Sequence, residues 1–173
     1  MEYAEYLSYI SNVASLIAFL FANYQFFQWR KQQRHSLEIE SIVNMEIAFE
    51  ILIMANLKLA AAIDAGKKNV SRANDMSPEE KKNLEKWIND IYFKQLKREQ
   101  IYANQCVESY ETAYFKVKCL GLCGDDVNEF SCKKITEEFD SLIKSNSSLE
   151  NISIEAIKMK TAAKKKFSII KRI

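Results

Sequence analysis

Tyr6-Leu-Ser-Tyr-Ile-Ser-Asn-Val-Ala-Ser-Leu-Ile-Ala-Phe-Leu-Phe-Ala-Asn-Tyr-Gln-Phe-Phe-Gln-Trp29 is a run without a charge, a Gly or a Pro. At about 1.5 Å per residue a helix of this length reaches roughly 36 Å, enough for a hydrocarbon core of about 30 Å. Tyr3, Tyr6 and Tyr9 cluster at one end, and Tyr24, Phe26, Phe27 and Trp29 at the other. Aromatic rings gather in this way at the two water interfaces of a bilayer. Arg30, Lys31 and Arg34 follow at once, while only Glu2 and Glu5 precede. This asymmetry predicts a transmembrane helix with its amino terminus outside and the rest of the chain in the cytoplasm. The competing reading is a buried or interfacial helix of a soluble protein. A cleaved signal peptide is not expected, because a basic segment is missing before the apolar run.

The run has a polar side. Ser11, Asn12, Ser15, Ala18 and Ala22 recur at helical spacing and share one face. Small residues let helix backbones approach closely in lipid, and an Asn can hydrogen-bond across the contact. This face therefore predicts a homo-oligomer paired through the membrane helix.

With 3 Gly, 1 Pro and 48% apolar residues in 173, the chain is short of helix breakers. Long helices and an all-α fold are expected. The net charge of +2 is unevenly spread: −2 over residues 1–29, +1 over 30–77, −4 over 78–155 and +7 over 156–173. The expected organisation is a membrane anchor over 1–29, a helix continuing from the membrane over 30–66, a linker over 67–77 and a cytoplasmic helical bundle over 78–173. Gly66 has the character of a residue just past a helix end, with Lys67 and Lys68 beside that end.

Ile47–Ala65 carries only Glu50, Lys58 and Asp64 as charges. It fits a central bundle helix. It also fits a second membrane segment, forming a hairpin with the first, in which Glu50 and Lys58 face water or a partner. Ser77-Pro78-Glu79-Glu80 predicts a capped helix start. An apolar and aromatic stripe through Trp87, Tyr92, Tyr102, Cys106, Tyr110 and Val117 predicts one helix to about Leu120, ended by Gly121 and Gly124. Asp125 and Asp126 open the next helix. Ser147 and Glu150 stand at capping-box spacing before the last, whose apolar stripe is Ile152, Ala156, Met159, Ala163, Phe167 and Ile170.

A catalytic constellation cannot be assembled. His35 is the single histidine, and no Gly-rich phosphate loop exists. Glu108 and Glu111 lie one turn apart without a histidine partner. Cys106, Cys119, Cys123 and Cys132 number enough for a zinc site, but two-residue knuckle spacing is missing. Reduced, structural cysteines are the preferred reading, and no cofactor or metal is expected. Lys158, Lys160, Lys164, Lys165, Lys166, Lys171 and Arg172 crowd the last helix. They suit a solvated surface, anionic lipid headgroups, nucleic acid or an acidic protein, and the acidic middle region is available to hold them.

The stretch Ile10 to Lys31 resembles the amino-terminal anchors of small bacterial membrane proteins of prophage and phage-defence islands, including transmembrane effectors of retron and abortive-infection systems. The likeness covers about residues 8–66. It implies a non-enzymatic effector that self-associates and damages the inner membrane once released from an inhibitory protein or nucleoprotein partner. The membrane helix and Ile47–Ala65 would be the toxic part, and the remaining helices and basic tail the docking part. The alternative is an anchored helical scaffold that localises a partner without toxicity.

Overall fold

The computed structural model describes residues 2–73, 76–122, 125–145 and 147–171. Its helices are α1 (Glu2–Arg72), α2 (Pro78–Trp87), α3 (Phe93–Cys119), α4 (Cys132–Lys144) and α5 (Leu149–Ile170). A π-helical turn, Ile88–Tyr92, joins α2 to α3, and a 3₁₀ segment, Asp125–Phe130, precedes α4. No strand occurs among the described residues. The all-α class follows from the scarcity of Gly and Pro.

The chain divides into two compact units, Met1–Glu40 and Ser41–Ile173. The first is helical throughout its described residues. Leu7, Ile10, Leu16, Ile17, Leu20 and Phe21 are each more than half exposed. Its polar side chains look after themselves: Asn23 Nδ2 donates to the Phe19 carbonyl at 2.9 Å, and Gln28 Nε2 to Tyr24 Oη at 3.0 Å. No helix among the described residues is long and apolar enough to cross a membrane. Tyr6–Trp29 has the length, but Ser8, Ser11, Asn12, Ser15, Asn23, Gln25 and Gln28 dilute it. The expected transmembrane helix and the two-helix hairpin thus draw no support from the fold.

The second unit is an up-down-up-down arrangement of four helical rods: the carboxy-terminal part of α1, the α2–α3 rod, α4 and α5. Ile42, Met45, Phe49 and Leu52 are buried on α1 at alternating three- and four-residue spacing, and Ile53 and Ala60 continue the buried face. Phe49 is the hub. Its ring centroid lies 5.6 Å from that of Tyr110 on α3, 6.0 Å from Phe130 before α4 and 5.9 Å from Phe167 on α5. Tyr110 Oη donates to the Phe130 carbonyl at 2.6 Å, which ties the segment before α4 to α3. Ile135 and Phe139 of α4 and Ile152, Ala156 and Ala163 of α5 complete the core. Ile47–Ala65 therefore lies in the bundle, its Phe49–Ala60 stripe packed against the other helices.

Helix ends follow side-chain chemistry. Ser77 and Glu80 form the expected capping box, with Ser77 N donating to Glu80 Oε2 at 2.8 Å and Glu80 N to Ser77 Oγ at 3.4 Å. Ser77 Oγ also donates to Glu80 Oε2 at 2.7 Å, and this bond, followed by that from Ser77 N, holds the Glu80 carboxyl below its ordinary value. Gly121, at φ 72°, ends α3. Its N–H donates to the Lys118 carbonyl at 3.0 Å, and that of Leu122 to Val117 at 3.3 Å, the paired bonds of a left-handed helix stop. One expected cap and one expected start move, while α5 begins at Leu149 as expected. Ser148, not Ser147, caps α5, accepting from Asn151 N at 3.2 Å. The chain near Asp125 takes a 3₁₀ path, and α4 begins only at Cys132, after Ser131 in extended geometry. Gly124 lies outside the described residues.

The expected end of α1 at Gly66 is also displaced, since the helix continues to Arg72 and takes in most of the expected linker. The reason is a close approach. A Cβ on Gly66 would lie 2.1 Å from Tyr92 Oη and 2.3 Å from its Cζ, so a bare backbone is what admits the Tyr92 ring. Gly66→Ala is expected to destabilise the bundle by about 1–2 kcal/mol, overpacking outweighing a helix-propensity gain of about 1 kcal/mol. In a Tyr92→Ala background the same change should become stabilising. A double-mutant cycle by chemical denaturation checks the sign change, and equal effects in both backgrounds would rule out the contact.

Candidate functional site

Ser11, Asn12, Ser15, Ala18 and Ala22 all lie on the first unit's helix and are exposed. They keep the shared face that their spacing predicts. The large apolar residues do not form a matching narrow stripe. Leu7, Tyr9, Ile10, Leu16, Ile17, Phe19, Leu20 and Phe21 spread over roughly two-thirds of the helix circumference, beside the small-residue face, and every one is exposed. An apolar surface this broad is wider than the single stripe a helix turns to one core. Fully burying one such side chain contributes about 1.5–3 kcal/mol, so covering this run is worth on the order of 20 kcal/mol.

Glu50 and Lys58 take surface positions on the bundle. Glu50 Oε1 lies 3.3 Å from Lys160 Nζ of α5, with both side chains about two-fifths exposed. Lys58 Nζ sits 5.7 Å from the centroid of the Tyr102 ring of α3. A pair this exposed contributes about 0–1 kcal/mol, and the cation–ring contact about 0.5–1 kcal/mol. Both join neighbouring helices, and neither stands in the setting of an intramembrane charge.

The basic helix is partly engaged. Lys160 pairs with Glu50, Lys171 with Glu46, and Lys158 with Glu155 at 2.6 Å in its own helix. Two carboxylates that hold α5 from outside, Glu46 and Glu50, lie on α1, outside the acidic stretch of 78–155 that is also available to hold it. Lys164 and Lys165 are exposed and Lys166 half-buried. Arg172 lies outside the described residues.

Cys106 and Cys132 are buried and Cys119 is exposed. Burial, and to a smaller extent the Glu111 charge, pushes the Cys132 thiol up, away from the thiolate a metal needs. Cys132 Sγ instead lies 3.8 Å from the Val107 carbonyl. Cys123 lies outside the described residues. No group of three or more His, Cys, Asp or Glu side chains among the described residues is placed to hold a metal ion. His35, Glu108 and Glu111 are exposed.

A different site emerges at the end of the bundle that holds Gly66. Here α1, the π-turn, the end of α4 and the start of α5 surround a cavity of about 690 Å³. Ile63, Val70, Ile88, Phe93, Ile143 and Ile152 give it apolar walls. Asp64, Lys67, Ser71, Ser147, Ser148 and Tyr92 add polar groups. Asp64 Oδ2 pairs with Lys68 at 2.7 Å, and Lys67 Nζ lies 3.5 Å from the Ile143 carbonyl. Tyr92 stacks on Trp87, ring centroids 5.7 Å apart.

No family model, no curated protein and no solved structure matches the chain. The sequence carries one signal of the cavity, Gly66, and that signal reads equally well as a helix end. A glycine followed by further helix-compatible residues, with the next strong break only at Pro78, was the available hint.

Proposed function

We propose that the chain is a non-enzymatic, membrane-embedded docking protein. Its amino-terminal helix self-associates in the bilayer, and its four-helix bundle presents a docking surface in the cytoplasm. The observation that supports this most strongly is the charge-free helix from Tyr6 to Trp29, whose large apolar side chains are exposed all around it except on the small-residue face. A two-stranded coiled coil would cover one seam of such a helix and leave the remainder in water. Lipid covers all of it. Too dilute to cross as a lone helix, the segment becomes compatible with lipid once Ser11, Asn12 and Ser15 face a second copy. Arg30, Lys31 and Arg34 favour an outside amino terminus.

The effector reading leaned on Ile47–Ala65 as a second membrane segment with charges in lipid. That segment's buried stripe belongs to the bundle core, and Glu50 and Lys58 meet partners on α5 and α3. Docking is therefore the better supported of the two. Induction of the full chain alone is expected to leave growth and membrane potential unchanged, read by turbidity and a potential-sensitive dye. Depolarisation that disappears on deleting residues 1–29 would reverse the choice in favour of the effector.

Self-association is expected to run through the small-residue face. Ser15→Leu with Ala18→Leu should abolish the oligomer seen by crosslinking in membranes while leaving membrane retention intact. An oligomer that survives both changes would place the contact on another face.

A further inference from the structure

We propose that the outer face of α1 in the bundle is a seam for a second copy of this chain, joined as a parallel two-stranded coiled coil over residues 44–65. Between Ser41 and Ala65 six residues are exposed: Asn44, Ile47, Ile51, Met54, Lys58 and Ala65. With the half-buried Ala61 they follow one another at steps of three, four, three, four, three and four. That is an unbroken heptad seam, with Asn44, Ile51, Lys58 and Ala65 at a and Ile47, Met54 and Ala61 at d. The opposite face of the same stretch is filled by the bundle core, through Met45, Phe49, Leu52 and Ile53. A bundle helix whose outer face meets only water carries polar residues there. Here Ile47, Ile51 and Met54 stand 52%, 44% and 51% exposed at the centre of that face. Ala48, Ala55 and Ala62, again seven apart, run beside them.

The seam is its own complement. In a parallel, in-register pair Asn44 meets Asn44 of the second copy, amide to amide, and a polar residue at an a position fixes register and strand number in this way. Such an interface is isologous and closes at two copies. The acids at its edge do not repel a like copy, because Glu50 is paired with Lys160 at 3.3 Å and Asp64 with Lys68 at 2.7 Å. Lys58, the one charge within the seam, leans off it onto the Tyr102 ring, 5.7 Å from the centroid. A groove of about 340 Å³ beside Ile47 and Ile51, walled by Tyr102 and Gln105 of α3, gives the second copy's side chains room. Three half-exposed large side chains fall short of the roughly 800 Å² per partner of an interface that stands alone. The seam therefore rests on the pairing proposed for the first unit, which holds two copies at high effective concentration. Two bundles joined along α1 present every other face in duplicate, so a partner with two like sites is bound with avidity.

The test is oxidative disulfide crosslinking of the full-length chain in freshly broken cells, in a Cys119→Ser, Cys123→Ser background. Ile47→Cys and Ala65→Cys are each expected to join to their own copies, about tenfold more than Phe115→Cys and Ile169→Cys, which replace exposed apolar residues of α3 and α5 off the seam. The two seam positions are 18 residues apart, about 27 Å along the helix, so an antiparallel pair can join at no more than one of them. Ile51→Glu with Met54→Glu, both at exposed positions, should return Ile47→Cys to the control level while a Ser15→Cys crosslink in the first unit persists. A Ser15→Cys dimer with both seam positions at the control level would overturn the seam and leave the first unit's pairing standing. Joining at only one of Ile47→Cys and Ala65→Cys, or an Ile47→Cys dimer that survives both Glu changes, would also overturn the parallel seam. Seam dimers without a Ser15→Cys dimer would uphold the seam and move the first unit's contact to another face.

Discussion

Phe49→Ala is expected to lower the unfolding free energy of the bundle by about 3–5 kcal/mol, the largest single effect of any side chain in the core. Phe49 is 1% exposed and packs edge to face against Phe130 and Phe167, with Tyr110 tilted beside it. The α3 helix, the segment before α4 and α5 thus each lose a contact when that ring goes. The cavity left behind is hemmed in by three other aromatic rings, which have little freedom to collapse into it. For a unit of this size the loss corresponds to a fall of roughly 10–20 °C in the unfolding midpoint. Near-ultraviolet circular dichroism, which reports aromatic packing, is the measurement, because the first unit's helix adds little to it on unfolding of the core. Phe49→Leu keeps most of the volume and should cost less than about 1.5 kcal/mol. Equal losses in the two variants would mean that the shape of the ring, and not its apolar volume, carries the effect at that position.

How much of this was legible beforehand depends on the range of the interaction. The capping box at Ser77 and the stop at Gly121 were readable because each is settled by residues within one turn. The buried stripes of α4 and α5 were readable because Ile135, Phe139, Ile152, Ala156, Ala163 and Phe167 repeat at helical spacing. The true end of α1 was not. Gly66 carries the same local signal whether it stops a helix or admits a ring, and the residue that decides is Tyr92, 26 positions later. The choice of Ser148 over Ser147 fails for a different reason. Both offer a hydroxyl to the same helix start, and the winner is set by where the preceding turn leaves the chain. Glu50 and Lys58 were ambiguous because a charge on an apolar helix reads alike beside lipid and beside an ion-pair partner. The partners, Lys160 and Tyr102, are far away in the chain. Of the candidate interaction residues, the small-residue face kept its geometry, whereas the basic helix proved to be shared between surface and packing.

The second large effect concerns Leu16 and Leu20, each about three-fifths exposed at the centre of the charge-free run. An Arg at the middle of a membrane helix costs about 2.5–3.5 kcal/mol on insertion scales, so Leu16→Arg with Leu20→Arg removes roughly 5–7 kcal/mol of the drive into lipid. The same pair on a helix that simply stands in water would raise solubility and change nothing else. The central claim, that lipid covers the Tyr6–Trp29 helix, is therefore tested most directly by alkaline carbonate extraction of cell membranes. The wild-type chain is expected to stay in the membrane pellet, and the Leu16→Arg, Leu20→Arg chain to move to the supernatant with its bundle folded. A wild-type chain released entirely into the supernatant would contradict the account.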